Sequence, residues 1–508
     1  RAPSTKLPKR VVKVNGPVPR LYLTKEGETG HYITLSHCWG KTQPFTTKKD
    51  TLRDRAQGFT LDELPKTFRD AITVTRELGV DYVWIDSLCI VQDDLQDWQT
   101  ESAKMASIYR NALLTIAATA SPDGEKGCFF ERPPDGSVRV DFSKTTPEEN
   151  EASCALSDQL DRLAISARKD SLYDGSATFY ACPGVTYLID PLRKSPLNRR
   201  GWVVQERMLS RRMIHFADDQ LFWECQTQFL SEGGTYNRVM AEGMYDRLTQ
   251  NLRALEYYGP EPHRRHPAFM WNASVIGRWL NLVMEFSRKQ LTQEMDIFPA
   301  LAGVASVIQQ RKGDRFLAGL WKNTLHLELL WIAFDAPHYP PAQWRAPSWS
   351  WAALNGEVEY YDHQTWNGFE LNAEFVSTEA EWTGEPFSSR LRPNARLVVV
   401  GLLEHATCDP EPDSGRLQDI TCYHLIPAGS NPTMQYGFNW VVFDQKPPPP
   451  SQKFWCLCIC TERISENYVL LLEPTGVQPN EYRRIGAGRL DLDPKLFGGG
   501  ERVKITLI

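Results

Sequence analysis

The sequence predicts a multidomain α/β protein, with a parallel α/β region first, a helical middle and a β-rich C-terminal region. Three observations carry this reading. The chain has 508 residues, more than one ordinary domain holds. Between residues 32 and 119, apolar runs of strand length alternate with segments of helical period, as in successive strand–helix–strand units. Beyond about residue 356, short alternating segments dominate. The boundaries expected are 1–235, with 130–190 as an insertion, then 236–355 and 356–508.

YITLS at 32–36 reads as a short strand. A helix is expected from Asp62 to Gly79, with Pro65 in its first turn, Phe68, Ala71, Ile72 and Leu78 on one face, and Gly79 to stop it. DYVWIDSLCI has the length and apolarity of a second strand. Asp94 or Asp97 can cap the next helix, on which Trp98, Glu101, Met105, Ile108 and Tyr109 share a side. ALLTIAAT is a third strand. Two linked strand–helix–strand units imply a parallel sheet, and ligands of such sheets sit beyond the carboxyl ends of the strands. SHC at 36–38 and DSLC at 86–89 fall on that edge.

The stretch from 130 to 190 is polar and broken by Pro and Gly. Order is expected again in SPLNRRGWVVQERMLS, as a short helix near Gly201. A hairpin follows from Met213–Phe216 to Leu221–Cys225, turning at Asp218 and Asp219. Residues 237–330 read as helical, and Trp349 and Trp351 have strand spacing, as core or as a lid over the first domain's pocket. ARLVVVGLL, NWVVFDQ, FWCLCIC, YVLLLEP and RVKITLI read as strands.

Net charge is −6 with no long like-charged block, which argues against a nucleic-acid surface. No apolar run reaches the roughly 20 residues of a membrane helix. The first ten residues lack the apolar core of a secretory signal and an initiator Met, so a trimmed or processed chain is expected. Eleven Cys, an odd number without a CxxC pair, point to a reduced, cytoplasmic protein with no bound metal or cofactor. CLCIC reads as one Cys-lined face of a buried strand. His263 and His266 lie in a Pro- and Arg-rich loop, and the Gly-rich GAGR and GGGER do not open a helix after a strand, so neither supports a ligand site.

LSHCWG, the block from TFRDAITV to ALLTIAA, and SPLNRRGWVVQERMLS resemble the three motif blocks of the fungal heterokaryon-incompatibility (HET) domain. FPALAGVAS, DRFLAGLW and RAPSWSWA resemble segments that often follow it. The resemblance implies a fungal intracellular protein. Some members trigger cell death when genetically different hyphae fuse. The HET domain has also been suggested to be a distant relative of TIR domains, some of which cleave NAD. The fold so implied is a TIR- or flavodoxin-like parallel core.

Cleaving an N-glycosidic bond requires a carboxylate to steady an oxocarbenium-like sugar, an aromatic ring for the leaving base and an Arg for the pyrophosphate. Asp86, Glu101 and Glu206 supply carboxylates; Trp39, Trp202 and Arg200 supply the other types, with Gln205 and Ser36 as further contacts. A structural network of hydrogen bonds and ion pairs is the alternative for these groups. His37 and Cys38 point to opposite faces if the strand continues, so Cys89 with His37, oriented by Asp86, is the better nucleophile–base arrangement. Cys89 as a small buried hydrophobe and His37 as a hydrogen-bonded core residue stand beside that reading. Three functions compete. One is a nonself-recognition effector cleaving NAD or another nucleotide, and one is a small-molecule enzyme of secondary metabolism. The third is a non-catalytic signalling module that binds a partner or assembles with its own copies.

Overall fold

The computed structural model describes residues 3–41, 45–131, 138–142, 177–181, 191–225, 228–234, 237–239, 275–360, 369–384, 386–387, 389–413, 422–427, 440–449, 452–462, 466–491 and 501–508. The chain divides into two compact units, Arg1–Glu101 with Ser107–Asp246, and Ser102–Ala106 with Arg247–Ile508. His263, His266 and the three glycines of GGGER lie outside the described residues, as does most of 130–190.

The first unit is built on one mixed sheet. The strands of this sheet and the helices that flank it are, in chain order, β1 (Arg10–Lys13), β2 (Arg20–Leu23), β3 (Tyr32–Ser36), α1 (Lys66–Glu77), β4 (Tyr82–Trp84), α2 (Asp86–Cys89), α3 (Leu95–Ser102), α4 (Met105–Asn111), β5 (Leu114–Ala117), α5 (Val203–Leu209), β6 (Arg212–Phe216), β7 (Leu221–Cys225), β8 (Gln228–Ser231) and β9 (Asn237–Val239), beside shorter elements such as the helix Leu52–Gln57. The strands lie side by side as β9-β8-β7-β6-β5-β3-β4-β1-β2. The middle four, β6-β5-β3-β4, are parallel, with Ile33 opposite Leu114 and Val83, and Met213 opposite Thr115. Antiparallel pairs extend both edges. All five residues of β3 are buried, as expected for a strand inside a parallel core covered on both faces.

Local chemistry explains where the elements differ from expectation. The helix expected from Asp62 begins at Lys66. Leu61–Glu63 is a separate 3-10 turn closed by a Thr60–Glu63 capping box, and Leu64 before Pro65 is extended, the conformation that a following proline favours. Phe68, Ala71, Ile72 and Thr75 form the buried face of α1, and Gly79 in a left-handed conformation (φ 66°) follows its end. DYVWIDSLCI is not one strand. It leaves the sheet after Trp84, and Asp86–Cys89 forms a single helical turn, with Asp86 Oδ1 accepting the Ser87 N–H at 2.7 Å. Asp94 accepts from the N–H groups of Gln96 and Asp97, so it caps α3.

The second unit contains helices at Val275–Ser287 and Ala302–Lys312 and a nine-stranded, mostly antiparallel sheet from residue 369 onward. Cys456, Cys458 and Cys460 are buried on the strand Phe454–Glu462, and the first two join a cluster with Val469 and Leu471. Trp349 and Trp351 are not on a strand. Trp351–Ala353 is a 3-10 turn capped by Ser350, the Trp351 indole donates to the Gly319 carbonyl, and the Trp349 carbonyl accepts from Trp331. Arg484 sits among Asp444 and the carbonyls of Leu329 and Trp331, with its guanidinium 3.4 Å from the centre of the Trp331 ring. Among the described residues, no helix is long and apolar enough to cross a membrane and no group of three or more His, Cys, Asp or Glu is arranged to hold a metal.

Candidate functional site

The parallel strands run in the chain order 2-1-3-4, so consecutive connections diverge between the first strand, β3, and the third, β5. At the carboxyl end of β3 the chain passes through His37, Cys38 and Trp39 and turns at Gly40, whose φ is 74°. At the carboxyl end of β5 it turns through Pro122, Asp123 and Gly124. The two turns meet: a Cβ on Gly40 would lie 2.7 Å from the Asp123 Cβ, so only glycine fits. Thr67 at the start of α1 fixes the second turn, its N–H donating to the Gly124 carbonyl at 2.9 Å.

A cavity of about 370 Å³ opens here, a size suited to a small molecule. Trp39, Phe45 and Phe68 give it aromatic walls; His37, Ser87 and Asp123 give it polar ones. His37 packs edge-on against Phe68 at 5.1 Å between ring centres and is 2% exposed. Burial, aided by the positive charge of Arg200, pushes its pKa down to about 3, so the imidazole is neutral at physiological pH. Its Nδ1 lies 3.8 Å from Asp86 Oδ1, too far for a hydrogen bond, and has no partner among the described residues. The buried Ser87 Oγ likewise has none.

Behind this wall lies a cluster of charge. Trp39 Nε1 donates to Asp86 Oδ2 at 2.8 Å, which fixes the indole. Ser36 Oγ donates to Glu206 Oε2 at 2.5 Å across 170 residues of sequence, and Tyr109 also hydrogen-bonds Glu206. Arg200 donates to the His37 carbonyl and faces both carboxylates electrostatically. Burial raises the pKa of Asp86 and of Glu206, and Arg200 opposes the shift in each.

The polar face of β3 continues inward. Thr34 Oγ1 bonds Thr115 Oγ1 at 2.7 Å, Thr115 bonds Ser210 Oγ at 2.6 Å, and Ser210 donates to the Glu206 carbonyl at 2.6 Å. Period-two alternation puts Thr34 and Ser36 on one face, toward α5, which explains a strand that is buried yet hydroxyl-bearing.

The structure therefore brings Ser36, His37, Trp39, Asp86, Arg200 and Glu206 together. Cys89 is not beside His37 in an active form. It is 1% exposed, its N–H bonds the Ile85 carbonyl, and burial pushes its thiol up to about 12, against the low pKa a thiolate nucleophile needs. Cys38 is pushed up to about 11 for the same reason. Glu101 is buried and acts electrostatically on Cys89. Trp202 stacks edge-on against Trp98, with ring centres 6.4 Å apart, and Gln205 is buried on α5; neither lines the cavity.

Sequence reasoning missed Ser87, Phe68 and Asp123 as cavity walls. The Asp-Gly turn just beyond a predicted third strand was the available signal for Asp123. It also missed the buried chain Thr119–His215–Glu224–Arg207, with links of 3.1, 2.9 and 2.8 Å.

Residues 32–206 match the family model described as Heterokaryon incompatibility protein (HET), which bears out the resemblance of the motif blocks over that segment. No curated protein and no solved structure matches the chain.

Proposed function

We propose that this chain, with a HET domain at residues 32–206, is a fungal intracellular effector of nonself recognition whose first unit cleaves the N-glycosidic bond of NAD or a related nucleotide. The observation that carries the reading is a small-molecule cavity at the divergence of β3 and β5, with aromatic walls and the polar residues His37, Ser87 and Asp123 in its lining, backed by two buried carboxyls. A TIR- or flavodoxin-like ancestry of the parallel core accords with the 2-1-3-4 strand order.

In the reaction, the bond from the anomeric carbon to the base nitrogen breaks and its electron pair leaves on nitrogen. Water adds to the anomeric carbon, and its proton is released to solvent. Trp39, Phe45 and Phe68 would hold the planar base. The negative charge of Asp86 and Glu206 would favour the cationic sugar, acting through Trp39 and Ser36; both are positioning residues rather than groups touching substrate.

The test is incubation of the purified chain with NAD and chromatography for nicotinamide, beside a folded Glu206→Gln variant. Release by the parent and a loss of about 100-fold in the variant are expected. No release at high protein concentration overturns the reading. It would favour a non-catalytic module, for which the full hydrogen bonding of Glu206 and Asp86 is the supporting observation.

A further inference from the structure

Two carboxyls expected to serve the site are already engaged. Glu206 takes hydrogen bonds from Ser36 and Tyr109, and Asp86 takes them from Trp39 and the Ser87 N–H. Neither borders the cavity. Asp123 does. Its Oδ1 accepts the N–H groups of Glu125 at 2.9 Å and Lys126 at 3.2 Å, which locks the side chain in the turn. Its backbone carbonyl accepts from Ser121 Oγ at 2.7 Å and from Thr67 Oγ1 at 3.3 Å, which locks the turn to α1. Among the described residues Oδ2 accepts nothing. Glu125 also borders the cavity, but it is exposed and no hydrogen bond fixes its carboxyl.

A rigid carboxylate with one oxygen unused thus lines the same cavity as the rings of Trp39, Phe45 and Phe68. Carboxylates only accept, whereas a hydroxyl donates and accepts. A ligand that fits therefore presents hydroxyls toward Asp123 and a planar apolar face toward Trp39, Phe45 and Phe68. A sugar diol beneath an aromatic base has this form, and a fixed acidic side chain on sugar hydroxyls is the usual arrangement at such strand ends.

We propose that Asp123 is the ligand-contacting carboxylate of this site and that it receives the ribosyl hydroxyls of a pyridine or purine nucleotide. The proposal rests on the nucleotide reading above and adds a substrate-touching residue to it. Gly40 is part of the same device, because any side chain there would displace Asp123.

The experiment is calorimetric titration of the full chain with nicotinamide mononucleotide, for the parent and Asp123→Asn, with nicotinamide release from NAD measured in parallel. Asparagine keeps the Oδ1 acceptor that the turn needs, so Tm should hold. If Tm falls, Asp123→Ser, whose hydroxyl can also accept from the turn, replaces it. A loss of tenfold or more in affinity at unchanged Tm is expected. Equal affinity in parent and variant, or no binding by the parent, overturns the assignment even if NAD is hydrolysed. Binding that depends on Asp123 without nicotinamide release leaves the assignment standing and removes the hydrolytic reading.

Discussion

Arg484 in the second unit and Arg200 in the first are both drawn into the protein beside carboxyl groups, and their surroundings differ. Arg484 donates to both oxygens of Asp444 and to two backbone carbonyls while lying on the Trp331 ring, and both members of this pair are buried. Arg200 donates to one carbonyl and faces two carboxyls, each with a raised pKa, behind a cavity that His37 and Ser87 help to line. Unpaired buried atoms also occur in the second unit, for example Trp279 Nε1, so they do not by themselves mark a site. What distinguishes the first unit is a cavity that joins aromatic walls to a fixed carboxylate, Asp123. Arg484 is satisfied by partners within the protein, whereas Arg200 acts on its two carboxyls through its charge.

The comparison breaks most visibly at Arg484. Arg484→Met strands Asp444 without its partner, and a loss of about 3–5 kcal/mol is expected by urea unfolding. Arg484→Met with Asp444→Leu should recover most of it, because both charges are then gone. Glu206→Gln should cost about 1–2 kcal/mol, since the amide oxygen still accepts from Ser36, while catalysis falls about 100-fold. If stability falls as far as in Arg484→Met, Glu206 belongs with the structural arginine.

Acidity separates the units further. Glu328 in the second unit is fully buried, and burial pushes its pKa up to about 8 despite hydrogen bonds from Thr324 and the Trp321 N–H. A raised carboxyl binds its proton more tightly folded than unfolded. Its contribution is complete below the unfolded value near 4.5 and is lost as pH rises through about 8. Tm of the second unit's transition should decline from pH 5 to 8, and Glu328→Gln should flatten that decline. In the first unit, Asp86 and Glu206 act in the same direction as Glu328. His37 acts in the opposite one, because its lowered pKa costs stability as pH falls from 6.5 toward about 3. His37→Phe should remove that acid-side loss, read as Tm at pH 4.5 against pH 7.

The smallest effect is the sharpest. Ser87 Oγ has no partner among the described residues, so Ser87→Ala should change stability by no more than about 0.5 kcal/mol. It should leave nicotinamide mononucleotide binding unchanged, because the hydroxyl has almost no surface open to the cavity. A clear loss of stability instead would mean that the hydroxyl is bonded within the protein.

Much of the first unit could be read from its pattern. The apolar runs at 32–36 and 114–117 are strands, and SHCWG sits at a carboxyl edge, as expected. Asp86 shows where pattern fails: an apolar run hides a strand that ends at Trp84 and a helical turn that begins two residues later, because apolarity does not distinguish the two. Asp123 was invisible for another reason. Asp-Gly occurs at 123–124, 135–136 and 174–175, and strand order alone brings one of the three against Gly40. In the second unit, CLCIC was legible because burial on a strand needs only alternation, whereas Trp349 and Trp351 had the same spacing and took up a turn.

The hydrogen bond from Ser36 to Glu206 has a consequence for synthesis. The acceptor is 170 residues downstream of the donor. At the roughly 5–20 residues per second of translation, the β3 end waits about ten to thirty seconds for the helix that completes it. Through that interval the ribosome carries cavity walls, all of them made by residue 125, without the carboxyl that lies behind them. A nascent chain stalled short of residue 206 should therefore hold the walls of the site while Ser36 waits for its acceptor, so the site is completed late.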